Sequence, residues 1–349
     1  MSDFVTIGQL LELARSEIDA DLYGWAAAGA GEEVTVARNA QALDSLALVS
    51  RIGRNVEAVD TSTSIAAIPQ SLPIFLAPVG ALSRYHDDGA LGAARAAAGA
   101  GVSAFCSMLV SEPWEDIAAT APGRHIFQIY IGGDHVWTGD VVDRAIGAGF
   151  GALCVTVDTP EIGRRDRSLE SGFIWSVDRH ERPDNLARHG KDMSFRTRYT
   201  WDDFAWLCEY SDLPVIIKGI LHPDDARRAV ELGATVVYVS NHGGRVIDHE
   251  VSSIEMLAEV ADAVAGDAEI LIDSGFQRGP EVLKALALGA RAVGLGRSQI
   301  WALGVGGREG VSRLIEILRE EIGTTMANLG VTAPDQLGPG HVRSSSPTR

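Results

Sequence analysis

From Pro73 onward the chain alternates between two textures. Short apolar runs cover Ile74–Pro78, Val102–Ser107, His125–Ile131 and Ala152–Asp158, then Pro214–Gly219, Thr235–Asn241, Glu269–Ser274 and Ala292–Arg297. Runs of this length, rich in β-branched and aromatic residues, predict buried strands. Between most of them lie Ala/Leu/Glu-rich stretches at helical spacing: Gly89–Ala100, Trp114–Ala119, Val141–Ala148, Pro223–Leu232, Ser253–Val264 and Pro280–Leu288. Strands alternating with helices in this way predict an α/β protein, a (β/α)8 TIM barrel rather than an open sheet. Ahead of it the spacing predicts a helical region over Ile7–Ala30, stopped by Gly29 and Gly31, and a short helix over Glu33–Ala42. The expected organisation is one domain over 1–349, with a helical segment at 1–72 and the barrel at 73–333. The Gly/Pro/Ser-rich tail 338–349 reads as disordered. One connection, Glu161–Thr200, breaks the rhythm as a long charged insert after the fourth strand, the size of a lid or mobile insert.

Polar residues recur at the C-terminal ends of these strands, the end at which parallel barrels build their sites. They are Ser107 on the second strand, Gln128 and Tyr130 on the third, Thr156 and Asp158 on the fourth and Lys218 on the fifth. Asp273 and then Gly296 with Arg297 end the seventh and eighth. Each has a bland reading alone, but polar groups in apolar strands cost free energy unless partnered, so their joint placement points to a ligand. The sixth strand runs into Ser240-Asn-His-Gly-Gly-Arg-Val-Ile-Asp248. His242 is a base that works near neutral pH, and Arg245 carries a fork of donors that suits a carboxylate. Gly243 and Gly244 allow a tight bend and close approach of a ligand. The pattern points to proton abstraction next to a carboxylate. The turns Asp273-Ser274-Gly275 and Gly296-Arg297 follow strands seven and eight, where barrels hold phosphate. No G-x-G-x-x-G opens a helix after a strand, so a nicotinamide dinucleotide is not expected.

Composition narrows the partners. Of 349 residues, 46% are hydrophobic, enough for one large core, and the formal net charge is −17. So acidic a surface argues against nucleic acid or anionic lipid, while local arginines still permit a small anionic substrate. Cys106, Cys154 and Cys208 are odd in number and lack metal-ligand spacing, so no metal site is expected and a reducing cytoplasm is the simplest setting. The first ten residues carry neither a basic n-region nor a cleavable apolar core, and no apolar run reaches the ~20 residues that span a bilayer.

The nonapeptide at 240–248 resembles the S-N-H-G-G-R-Q-L-D signature of the FMN-dependent 2-hydroxy acid oxidases and dehydrogenases. The likeness runs from about Val5 to Ala333. It includes N-A-Q-A-L from Asn39, L-A-P-V-G at Leu76–Gly80, F-Q-I-Y at Phe127–Tyr130 and T-V-D-T-P at Thr156–Pro160. It continues through I-K-G-I at Ile217–Ile220, K-A-L-A-L-G-A at Lys284–Ala290 and G-L-G-R at Gly294–Arg297. The resemblance implies oxidation of a 2-hydroxy acid to the 2-keto acid, with FMN as cofactor and oxygen or another carrier as electron acceptor. It implies His242 as base, Asp158 as its orienting carboxylate, Arg245 and Arg165 on the substrate carboxylate, and Tyr130 near the substrate hydroxyl. Pro78, Val79 and Gly80 would face the flavin N5 edge, with Ser107, Gln128 and Thr156 on the ring. Lys218 would sit near N1 and O2, and Ser240 is carried over with the cofactor residues. Asp273, Gly275, Gly296 and Arg297 would hold the ribityl and phosphate. It also implies a homo-oligomer, a tetramer.

Several positions depart from the family pattern. Trp25 stands where a tyrosine commonly binds the substrate carboxylate, and Leu109 where an aromatic is frequent. The usual D-G-G-[VI]-R-R-G reads D-S-G-F-Q-R-G, so Gln277 replaces an arginine that touches phosphate, and Arg278 remains. Trp25 and Leu109, with the charged Glu161–Thr200 segment over the opening, predict an acid with a larger or aromatic side chain, or a specialised metabolite, rather than glycolate. Two other readings stay open: an FMN-barrel isomerase or tailoring oxidase of a larger metabolite, and a flavin-binding protein without turnover. Intact His242, Asp158, Arg245 and Lys218 argue against the last.

Overall fold

The computed structural model describes residues 4–173 and 193–345. Strands are numbered in chain order: β1 Leu46–Leu48, β2 Thr63–Ile65, β3 Ile68–Gln70, β4 Ile74–Leu76, β5 Phe105–Ser107, β6 Ile126–Ile129, β7 Ala152–Thr156, β8 Val215–Ile220, β9 Val236–Val239, β10 Glu269–Ile272, β11 Ala292–Leu295 and β12 Val342–Ser344. The eight strands β4–β11 form one parallel sheet in the order β4-β11-β10-β9-β8-β7-β6-β5. A single parallel bridge, Leu76 to Ala104, joins β4 to β5 and closes it into the predicted barrel.

Side chains alternate along each strand, and the inward set forms its own core. Phe75, Phe105, Ile126, Cys154, Ile216 and Tyr238 point inside and are buried. The neighbouring positions, such as Phe127, Leu153, Val155 and Ile217, pack outward against the helices. The same period carries Ser107, Gln128, Thr156 and Lys218 to the inside, one or two steps further along their strands. The hairpin β2–β3 stoppers the opposite end, where Ile65 and Ile68 join the interior cluster. Ala66 N–H at its tip donates to Glu269 Oε2 at 2.7 Å.

Three features differ from the sequence reading. The first helical region is two helices, Ile7–Glu17 and Ala20–Ala27, because Ile18 is extended and Asp19 caps the second by accepting from the amides of Asp21 and Leu22. A 33-residue helix, Arg297–Leu329, follows β11 and bends where Gly306 and Gly307 leave helical angles; those glycines hide its periodicity. The tail expected to be disordered is ordered through 345: β12 pairs antiparallel with β1, and Val342 is buried. Backbone pairing and one apolar anchor are enough to fix a segment whose composition is polar.

Of the insert at 161–200, the stretch 174–192 lies outside the described residues. Its first part packs on the catalytic face: Gly163 lies against the carbonyls of Arg245 and Val246, where a Cβ would come within 2.3 Å of oxygen. Gly31 N–H donates to Arg164 O at 2.9 Å, stitching this loop to the N-terminal segment.

Candidate active site

The site is built on the turn after β9. Ser240 follows the strand, and His242, Gly243 and Gly244 come after it with φ of 55°, 67° and 73°, three successive left-handed residues. Glycine adopts this conformation freely; His242 holds it at a cost of order 1–2 kcal/mol. The bend aims the imidazole at the loop just after β7, where Nδ1 lies 3.0 and 3.2 Å from the two carboxylate oxygens of Asp158. Gly219, at φ 108°, leaves room for that carboxylate; a Cβ there would stand 2.5 Å from Asp158 Cβ. Burial pushes the Asp158 carboxyl up, but the charges of His242 and Lys218 outweigh it and hold it below the usual range.

Lys218 is 3% exposed. Its Nζ donates to Ser240 Oγ at 2.8 Å and faces Asp273 at 3.5 Å. Burial pulls the ammonium down, yet Asp273 and Asp158 together raise it above its ordinary value, so the charge is retained. Asp273, which resemblance assigns to the ribityl and phosphate, has both oxygens engaged within the protein. Oδ1 accepts from Ser240 (2.6 Å) and Ser274 (2.9 Å), and Oδ2 from Tyr238 (2.8 Å). On β6 and β7, Gln128 Nε2 donates to Thr156 Oγ1 at 2.9 Å, while its buried Oε1 has no partner among the described residues. Ser107 is buried beside them at the end of β5.

The arginines come from three elements. Arg245 turns Nη1 to the carbonyls of Trp25, Ala26 and Ala28 at 2.8–3.1 Å. One arm of the fork expected for a carboxylate is therefore committed to backbone, and the Nε–Nη2 edge carries no hydrogen bond among the described residues. The guanidinium of Arg165 makes neither hydrogen bond nor ion pair among those residues, and its Nε is buried without a partner. The guanidinium carbons of Arg245 and Arg165 lie 4.9 and 5.5 Å from the centroid of the Trp25 ring. Burial first, then the neighbouring charges of Arg165 and Arg297, hold Arg245 well below its ordinary value. Two half-buried cations with no anion in salt-bridge contact among the described residues mark a place for one.

Other predicted residues are placed less simply. Pro78, Val79 and Gly80 form the half-buried loop after β4, and Gly80 abuts Leu109, where a Cβ would approach to 2.9 Å. Arg297 donates to the carbonyls of Ala26, Ala28 and Gly243. Gly275, at φ 95°, runs close against Asn39, and Gly296 has open space beside it. Arg278 does not join the site: its guanidinium pairs with Glu321 on the last helix. Gln277 is half-buried next to it, its amide N–H held by Glu281. Sequence reasoning gave no role to Tyr238, Asn241 or Asn39. Asn241 and Asn39 exchange two buried side-chain hydrogen bonds at 2.8 and 3.0 Å, fixing the helix Val34–Asp44 to the turn. Tyr238 could have been found from its inward phase within β9.

A base ready beside uncompensated cations, at the mouth where parallel barrels do their chemistry, sets this chain among the (β/α)8-barrel enzymes. Comparison with known proteins supplies the family. The profile of the FMN-dependent dehydrogenases matches residues 14–344. The L-lactate oxidase of Nostoc sp. is 36% identical over 95% of both chains. The 4-hydroxymandelate oxidase of Amycolatopsis orientalis is 38% identical over 94% of this chain and 95% of its own. A solved mandelate oxidase with benzoyl-formic acid superposes with a TM-score of 0.89 at 38% identity, covering 96% and 97%. The chain belongs to the family of FMN-dependent dehydrogenases, which oxidise 2-hydroxy acids, and FMN is its cofactor. Its residues fit that group. The orphaned Gln128 Oε1 is a buried acceptor of the kind an imide N–H satisfies, and Lys218 is a buried cation suited to a ring that gains negative charge. No helix among the described residues is long and apolar enough to cross a membrane, and one relative is a peroxisomal (S)-2-hydroxyacid oxidase of Arabidopsis thaliana.

Proposed function

We propose that this chain oxidises a 2-hydroxy acid bearing an aryl or similarly broad apolar side chain. The observation that carries the reading is the position of Trp25, whose ring is shared by Arg245 and Arg165. A tryptophan serving only a helix interface would not lie under both arginines. Here it sets a flat apolar wall beside the carboxylate clamp and leaves Leu109 as an aliphatic surface near Gly80. The hydroxymandelate and mandelate oxidases among its relatives favour the same side chain.

The geometry supports a set of roles. Asp158 accepts from His242 Nδ1, which leaves Nε2 as the atom that takes a proton from the substrate CH–OH group. The carboxylate then stabilises the imidazolium. Arg165 and the Nε–Nη2 edge of Arg245 hold the substrate carboxylate. Burial, then the Asp158 charge, pushes the Tyr130 hydroxyl up to about 12, so it stays protonated and donates to the substrate hydroxyl. When bound, FMN supplies the two-electron acceptor. Ser107, Gln128, Thr156, Lys218 and Ser240 would hold its ring, beside the loop Pro78–Gly80. Gly275, Gln277, Gly296 and Arg297 would hold its phosphate end. Oxygen is the acceptor this reading favours, the relatives being named oxidases. The three free cysteines suit a reducing cytoplasm, and the resemblance suggests a homotetramer.

The test is turnover of glycolate, lactate, mandelate and longer acids by the wild type and Trp25→Tyr. Mandelate-type acids should exceed glycolate in kcat/KM by ~10-fold or more, the scale of apolar pocket discrimination, and Trp25→Tyr should narrow the gap. Glycolate turned over fastest by the wild type would overturn the assignment.

A further inference from the structure

We propose that Ser274 is a positioning residue for His242, a hydroxyl brace on the turn that carries the base. Ser274 follows Asp273 at the end of β10 and is 6% exposed. Its backbone is left-handed, φ 84°, a conformation that glycine reaches without strain and serine does not. A residue held there at a cost needs an offsetting interaction, and its hydroxyl makes three. Ser274 Oγ accepts from the amides of Gly243 (3.1 Å) and Asn241 (3.4 Å), which flank His242, and donates to Asp273 Oδ1 at 2.9 Å. The amide of His242 itself donates to Ser240 Oγ at 3.1 Å, and Ser240 donates to the same Asp273 oxygen at 2.6 Å.

Three consecutive backbone amides around the base are thus bound by two hydroxyls, both anchored on one carboxylate oxygen. Donation to a carboxylate polarises each hydroxyl and makes it a better acceptor for the amides. The turn is left-handed at His242, Gly243 and Gly244, and two of those are glycines that would otherwise sample other angles. Without Ser274 the amide of Gly243 loses its only hydrogen bond among the described residues. His242 would then hold its ring toward Asp158 for a smaller fraction of the time. The motif in which this serine stands carries glycine in the family pattern quoted above, so the brace is a feature of this chain. It acts through the backbone of His242 and touches no reacting atom.

The inference rests on His242 being the base, which His242→Gln tests separately. The experiment compares Ser274→Gly, Ser274→Ala and His242→Gln as holoenzymes, measuring kcat, KM, thermal midpoint and hydrogen exchange of the peptide spanning 240–245. Ser274→Gly removes both hydroxyl and strain, so it should fold at least as stably as wild type. Its kcat should still fall roughly tenfold, within the range expected for a misplaced catalytic group, with KM within about twofold and faster exchange at 240–245. Ser274→Ala should lose the same rate with lower stability, because its Cβ keeps the strain. Wild-type kcat and exchange in Ser274→Gly, with His242→Gln inactive, would overturn this inference and leave the base assignment standing. An active His242→Gln would remove the base assignment instead. A rise in KM without loss of kcat would also overturn the brace.

Discussion

Replacing Asp158 by Asn tests how much of the rate comes from one buried charge. Asn keeps the shape, and Gly219 still accommodates it, so the fold around the site should survive. What changes is the electrostatics at His242 Nδ1, 3.0 Å away. At that distance, with an effective dielectric constant of ~20, a carboxylate attracts an imidazolium by about 5 kcal/mol, an upper bound on its effect. The side chains of His242 and Asp158 are 23% and 12% exposed, so water screens part of it. A loss of 3–4 kcal/mol from the step that protonates His242 is a rate decrease of roughly 10²–10³-fold. The assay is anaerobic stopped-flow bleaching of the bound flavin by substrate, with KM as a check on binding. The drop should appear in the bleaching rate with little change in KM, because Asp158 touches the base and not the substrate carboxylate. A bleaching rate within threefold of wild type would refute the pairing as the source of the base's strength.

Two further predictions concern stability. Lys218→Met leaves the Asp273 carboxylate buried without a cation; three hydroxyl donors remain, so the loss should be about 3 kcal/mol, the low end for a broken buried pair. An unchanged denaturant midpoint would contradict it. Burial first, then the Asp158 charge, pushes the half-buried Glu250 up to about 7 from 4.5. The folded state binds the extra proton, so stability is full below pH 4.5 and falls as pH rises toward 7. After discounting for exposure the cost is on the order of 1 kcal/mol. Glu250→Gln should therefore raise the unfolding midpoint at pH 8 and leave it unchanged at pH 4, and equal effects at both would sink the assignment.

The barrel was legible because each strand is a short apolar run between turn signals, and because polar residues stood in phase at the strand ends. That phase places His242, Asp158, Lys218, Gln128 and Thr156 at one end of the barrel, where the fold also puts them. What it could not convey was competition for donors. The pattern shows that Arg245 has a fork, but only the fold shows carbonyls of Trp25, Ala26 and Ala28 taking one end of it. Arg278 likewise follows a promising turn, and Glu321, 43 residues on, draws it away. The long last helix was missed because Gly306 and Gly307 interrupt its period. Ser274 entered the sequence reading only as the middle of the turn Asp273-Ser274-Gly275; its left-handed backbone gives it meaning.

The carbonyls of Ala26 and Ala28 are bound by Arg245 and Arg297, partners 217 to 271 positions later in the chain. During synthesis on the ribosome, at about 5–20 residues per second, those partners arrive on the order of tens of seconds after the segment they must capture. Until then Trp25 and its helix have no barrel mouth to dock on and remain within reach of chaperones and proteases. The pocket wall is made from residues translated more than two hundred positions before the arginines that hold it. A substitution at either arginine should therefore be felt in the yield of folded enzyme as well as in its turnover.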